Sequence, residues 1–285
     1  MSKKLIRFDW AVKKLLRNKA NFVVLEGFLS ELLFEDIKIQ KILESESNQE
    51  TEDDKYNRVD ILTQNAKNEL IIVEIQNTYE IDYFQRMAYG AAKALTENLD
   101  IGQTYASIKK VISINIVYFD LGQGKDYVYK GTTSFQGLHE KDLLQLSIRQ
   151  QRAFTKAAIS AIFPEYYIIK VNQFNNVAKD TLDEWVYFLK NNEVKDEFKA
   201  KGLAEAKEVL DMMRLNKEQQ YGYNRHLDYL HVKASEALSL QLEAEEKVRQ
   251  QIAKNAIVAG ATNEMITTIT GLSLEQVEQL RNEKE

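Results

Sequence analysis

The segment Leu70-Ile71-Ile72-Val73-Glu74-Ile75-Gln76 sets two polar side chains into an apolar run. Such a run belongs in a buried strand, where a carboxylate costs several kcal/mol unless a cation or hydrogen-bond donors meet it. Glu74 and Gln76 are two apart, so on a strand they share a face. A second acid, Asp60, lies in another apolar stretch, Arg58-Val59-Asp60-Ile61-Leu62. Between the two, Gln64-Asn65-Ala66-Lys67-Asn68 has the composition of a hairpin loop. Opposed residues of an antiparallel hairpin have a constant index sum. Asp60 with Glu74 gives 134, which centres the turn on residue 67. A four-residue loop over 65–68 would put Asp60 opposite Val73, off the face of Glu74. A five-residue loop or a bulge is therefore required. With it the carboxylates come within ~5 Å at Cβ, close enough to share a hard divalent cation. The structural reading of the same residues is a pair of cross-strand acids neutralised by Arg58 or by nearby lysines.

The elements that must position this pair follow from periodicity. Asn21 is placed to cap a helix with the apolar stripe Leu25, Phe28, Leu29 and Leu32. Residues 34–43 alternate as a strand, through Ile37, Ile39 and Ile42, and residues 56–63 and 69–76 form the two strands of the hairpin. Residues 83–99 read as a helix through Phe84, Met87, Ala88, Ala91, Ala92 and Leu95. Residues 111–119 are almost continuously apolar, as a central strand would be. Gly122 and Gly124 mark a turn, residues 127–135 alternate again, and residues 159–163 lead into a strand over 166–171. Beyond Lys179 the pattern is helical. The pattern predicts a mixed α/β core over 1–175, a helical extension over 176–250, and a helix-turn-helix-like segment over 251–285.

Asp60, thirteen intervening residues and Glu74-Ile75-Gln76 resemble the metal-binding motif of PD-(D/E)xK nucleases in its D…ExQ form. Almost the whole chain resembles the recombination-promoting nuclease and transposase family of bacteria. The match is carried by Phe8-Asp9-Trp10-Ala11-Val12-Lys13-Lys14-Leu15-Leu16, Asn57-Arg58-Val59-Asp60, Ile72-Val73-Glu74-Ile75-Gln76-Asn77, Tyr83-Phe84-Gln85-Arg86-Met87-Ala88-Tyr89 and Asn115-Ile116-Val117-Tyr118-Phe119. The resemblance implies a restriction-endonuclease-like mixed sheet flanked by helices. It implies a Mg²⁺-dependent endodeoxyribonuclease, with Mn²⁺ able to substitute, acting on DNA and linked to recombination or mobile elements. Asp60 and Glu74 would be the metal ligands, the carbonyl of Ile75 would complete their shell, and Gln76 would take the place usually held by lysine. A glutamine orients water or a phosphate oxygen but brings no positive charge, so metal and nearby bases must stabilise the developing phosphorane. Gln85 and Arg86 are candidates for phosphate contact. Glu26 is an accessory-acid candidate on the first helix, although Glu31 flanks the other edge of that stripe equally well. The alternative is a catalytically inactive nuclease scaffold retained as a DNA-binding or protein-interaction module.

Composition is that of a soluble globular protein. The 285 residues are 44 % hydrophobic and 28 % charged, which is a globular balance, with one proline and no cysteine. The absence of cysteine excludes disulfides and thiolate metal sites and fits a reducing compartment. Charge interrupts the N-terminal residues, so they do not read as a signal peptide, and no segment reaches a membrane span. The expectation is a cytoplasmic protein. Residues 1–20 hold seven basic side chains (Lys3, Lys4, Arg7, Lys13, Lys14, Arg17 and Lys19) against Asp9. That is +6 on an otherwise −11 chain of net charge −5. Such an arm either contacts phosphates or is a solvated helix face. Residues 44–54 carry six acids and no base and read as a solvated loop.

Other motifs carry less. His226 and His231 are five apart, about 140° around a helix, so they form no zinc face. Gly122-Gln123-Gly124-Lys125 lacks the Ser or Thr of a phosphate loop. Tyr127 and Tyr129 would share a strand face, able to stack on bases but more typical of packing. Thr262 caps one short helix, and Ser273 with Gln276 forms a capping box for the next. That second helix has Glu275 and Glu278 before a single base, Arg281, which favours homo-oligomerisation or docking over base readout.

Overall fold

The computed structural model describes residues 5–14, 21–45, 60–99 and 102–282. Two compact units are formed, Met1–Tyr223 and Asn224–Glu285.

In the first unit α1 (Phe8–Lys14) and α2 (Phe22–Leu33) precede a six-stranded sheet. Its strands are β1 (Ile39–Ser45), β2 (Ile61–Asn65), β3 (Leu70–Gln76), β4 (Val111–Val117), β5 (Val128–Gly131) and β6 (Glu165–Lys170). The spatial order is β1-β2-β3-β4-β6-β5. β1, β2 and β3 pair antiparallel, β3, β4 and β6 run parallel, and β5 is antiparallel to β6. The β2–β3 hairpin takes the register required by the two acids. Ile61 faces Val73 and Gln64 faces Leu70, the same index sum as Asp60 with Glu74. Asn65 N–H closes the turn on the Glu69 carbonyl at 3.1 Å, and Asn68 takes the left-handed conformation its short polar side chain tolerates.

β3 and β4 are buried almost throughout, which is why both read as apolar runs rather than alternating ones. The helix α3 (Tyr83–Glu97) covers one face. Ala91 and Ala94 meet Leu62, Leu70, Ile72 and Val111, while Tyr83 and Met87 meet Val117, Phe119 and Leu121. A second body of the core joins α1 and α2 to α5 (Thr181–Asn191), where Phe8, Phe28, Trp185 and Phe188 pack edge to face or tilted. The short helices α4 (Ile148–Phe154) and α6 (Leu203–Val209) complete this unit, and α7 (Lys217–Val258) begins in it.

Several boundaries shift from the sequence expectation. Phe34 adopts a left-handed conformation that caps α2, so the chain turns before the first strand and β1 begins only at Ile39. β4 ends at Val117, and β5 spans only Val128–Gly131, leaving Tyr127 outside it. Tyr127 packs on Phe174 and donates its hydroxyl to Asp183, so the two tyrosines do not form a stacking pair. Residues 159–161 form a single 3₁₀ turn before β6. Most of the basic arm, the acidic run over 46–54 and Arg58 lie outside the described residues.

In the second unit the end of α7 packs with α8 (Asn263–Thr270) and α9 (Leu274–Asn282) around Ala253, Ile266, Leu272, Val277 and Leu280. Thr262 caps α8, Gly271 ends it in the left-handed region, and the Ser273–Gln276 box opens α9. Arg281 folds back onto Asn263 Oδ1 at 2.7 Å and the Ala261 carbonyl. The single base of α9 is thus engaged within the unit. Among the described residues no helix is long and apolar enough to cross a membrane.

Candidate active site

Asp60 and Glu74 come together where β2 enters the sheet beside β3. Both are buried. The Asp60 backbone N–H donates to Glu74 Oε2 at 3.3 Å, and the Ile75 N–H donates to Asp60 Oδ2 at 2.7 Å. The carboxylates therefore replace ladder partners at this edge of the hairpin, which aims them at the same place.

Glu74 also pairs with Arg86 Nη2, one turn into α3. The same guanidinium donates through Nη1 to Glu80, at 2.9 Å to Oε1 and 3.1 Å to Oε2. Gln76 Nε2 donates to Glu80 Oε1 as well. Glu74, Gln76, Glu80 and Arg86 form one connected set, with Asp60 attached through Glu74.

Burial dominates the electrostatics of the set. Burial, and then the charge of Asp60, push Glu74 up to about 8, and Arg86 only partly opposes them. Burial lowers Arg86, but Glu74 and Glu80 outweigh it and hold the guanidinium above its ordinary value. Tyr83 is raised by burial and by Glu74, and its hydroxyl donates to Asn115 Oδ1 at 3.3 Å. Asn115 stands beside Glu74 in the β3–β4 register and anchors to Ser113 Oγ and the Tyr167 carbonyl. Two buried carboxylates held side by side on adjacent strands are hard oxygen donors of the kind that suits a divalent cation. Among the described residues no group of three or more aspartate, glutamate or histidine side chains is arranged to hold a metal ion.

The sequence candidates divide by position. Asp60, Glu74, Ile75, Gln76 and Arg86 are brought together. Gln85 is on α3 but exposed. Glu26 is held elsewhere: it accepts from Ile39 N–H at 2.8 Å and pairs with Lys38 at 3.2 Å. Ile39 faces Asn65, at the end of β2 away from Asp60, so Glu26 is engaged at the entry to β1 and is not among the residues brought to the acid pair. Glu31 instead accepts from Lys201 N–H at 2.8 Å, and Thr181 also donates to it, so it ties α2 to the chain around α5 and α6.

Two groups were not among the candidates. Glu80 sits in the polar link between β3 and α3, where no periodicity distinguishes one acid from another. Asp9 is buried and held by Arg7, Asn77 and the Trp10 N–H, while Arg7 also stacks over Tyr118. Arg7 is therefore engaged against the end of the motif strand and does not extend as part of a basic arm. The isolated Asn115 in an apolar strand was the one visible signal of the supporting shell.

The profile described as PD-(D/E)XK nuclease family transposase matches residues 6–237. No curated protein and no solved structure matches the chain. The matched span takes in the whole sheet, the acid pair and the helix that carries Arg86, and on that ground the chain belongs to the PD-(D/E)XK nuclease family transposases.

Proposed function

We propose that this chain is a metal-dependent DNA endonuclease that hydrolyses phosphodiester bonds in recombination or in the movement of genetic elements. The observation that carries the reading is the buried Asp60–Glu74 pair, crossed by two backbone hydrogen bonds, with Gln76 two residues on. Asp60 and Glu74, with the Ile75 carbonyl, would hold Mg²⁺, or Mn²⁺ in its place. Such an ion acidifies water and polarises a phosphoryl oxygen when bound. In the net reaction a water oxygen bonds to phosphorus and the ester bond to the leaving oxygen breaks. That oxygen takes up a proton, giving a phosphomonoester and an alcohol. Gln76 orients the water, and Arg86 places a fixed positive charge beside the phosphorane. Gln85 and the lysines and Arg17 of the N-terminal arm contact flanking phosphates in a cytoplasmic enzyme, and the C-terminal helices serve homo-oligomerisation.

A second reading rests on the Arg86–Glu74 ion pair, which already neutralises part of the site. It is an inactive nuclease scaffold that binds DNA or protein. Plasmid nicking by purified protein with Mg²⁺ or Mn²⁺, against EDTA, separates the two. Metal-dependent nicking supports the endonuclease; folded protein inert on single- and double-stranded DNA with both metals supports the scaffold.

A further inference from the structure

Glu80 lies between two residues of the site. Its carboxylate receives Gln76 Nε2 and, through two hydrogen bonds, Arg86 Nη1. A carboxylate offers only acceptors, so the side of the Gln76 amide that faces it must be the NH₂. The amide is planar, with oxygen and nitrogen on opposite sides of its carbon. Fixing one end fixes the other, and Oε1 lies on the side away from Glu80.

We infer that Glu80 is a positioning residue that fixes the Gln76 amide with its acceptor oxygen presented to the site, so that position 76 accepts a hydrogen bond from the attacking water instead of donating to phosphate. The same carboxylate holds Arg86, which already supplies the positive charge a lysine would bring. A lysine at position 76 has donors only. It would compete with Arg86 for Glu80 and leave the water without this acceptor. Glutamine thus fits this site because the charge comes from α3 and the acceptor from β3. No proton is transferred to Gln76; the water's O–H points at Oε1, which turns a water lone pair toward phosphorus. This inference rests on the hydrolytic reading above.

Two measurements on the full-length protein test it. In ¹⁵N-glutamine-labelled protein, Gln76→Asn identifies the side-chain amide pair of Gln76. Glu80→Ala is expected to shift that pair and to speed its exchange with water about tenfold or more, the loss of a hydrogen bond to a charged partner. In nicking assays with Mg²⁺, the same change is expected to lower kcat by about tenfold to a hundredfold, the usual effect of a misplaced group, with little change in KM for DNA. Gln76→Glu sets two carboxylates against each other and loses activity. Adding Glu80→Gln restores a donor–acceptor pair with its polarity reversed and an acceptor still at position 76, so the double variant recovers part of kcat. Where Glu80→Ala fails to fold, Glu80→Leu keeps the bulk, removes the acceptor and carries the same test. An unmoved Gln76 amide, or full kcat without Glu80, overturns the positioning role alone. No metal-dependent nicking by wild type removes the hydrolytic reading and the positioning role with it.

Discussion

Asp60 and Glu74 hold one another in place by crossed bonds: the N–H of Asp60 meets the Glu74 carboxylate, and the N–H following Glu74 meets the Asp60 carboxylate. Each acid is thus oriented by the other's strand, and the pair is as rigid as the hairpin. Asn at position 60 still accepts from Ile75 N–H through its amide oxygen but loses the charge. Asp60→Asn is therefore expected to fold like wild type and to nick DNA more than about a hundredfold more slowly, beyond what outer partners of a metal site usually contribute. Circular dichroism and nicking rates check both halves; near-wild-type nicking would remove Asp60 from the site.

Glu74 gives the metal-free protein a pH-dependent stability. Its ionisation in the folded chain is raised from the ordinary 4.5 to about 8, by burial and by Asp60. A raised carboxyl favours the protonated fold, so its contribution is fully present below 4.5 and is lost as pH rises through about 8. The loss is on the order of a few kcal/mol. In EDTA the Tm is expected to fall between pH 6 and 8.5. Mg²⁺ or Mn²⁺ is expected to bind the ionised pair and to raise Tm more at pH 8.5 than at pH 6. Glu74→Gln should flatten the profile in EDTA and abolish the metal response; a profile as steep in that variant assigns the pH dependence to another group.

Arg86 serves two acids, and its removal has opposite consequences for binding and catalysis. Without the guanidinium, a cation at the pair meets less repulsion and no competitor for Glu74. Arg86→Ala is expected to bind Mn²⁺ at least as tightly by calorimetry at pH 8, yet to cleave about tenfold to a thousandfold more slowly for want of charge at the phosphorane. Weaker Mn²⁺ binding would mean that Arg86 mainly shapes the site instead of competing for it.

What was legible in the sequence is what depends on neighbours in the chain. The hairpin register follows from two acids that must share a face, and the observed pairs of Ile61 with Val73 and Gln64 with Leu70 keep that sum. The helix α3 announces itself by an apolar stripe that ends up against β3 and β4. For Glu26, periodicity gives the face of the helix but not the end of the sheet that face reaches. Ile39 N–H, an orphan donor at the start of β1, captured it. Glu80 was missed for the complementary reason. A link residue has no periodic partner, and its role arises only when α3 folds Arg86 back over β3.

Helix α2 approaches the chain before α6 backbone to backbone at Gly27. A Cβ at Gly27 would lie 2.4 Å from the Lys201 carbonyl oxygen and 2.6 Å from the Cα of Gly202. That carbonyl is held by Trp185 Nε1 at 3.0 Å, and Gly202 sits in the left-handed region, so neither yields easily. Alanine normally improves a helix interior by ~1 kcal/mol over glycine. Here overpacking against fixed backbone costs about 3 kcal/mol. Gly27→Ala is therefore expected to lower stability by a net of about 2 kcal/mol in urea unfolding, reversing the sign that helix propensity alone would give. Unchanged or increased stability would show that α2 and Gly202 do not meet backbone to backbone.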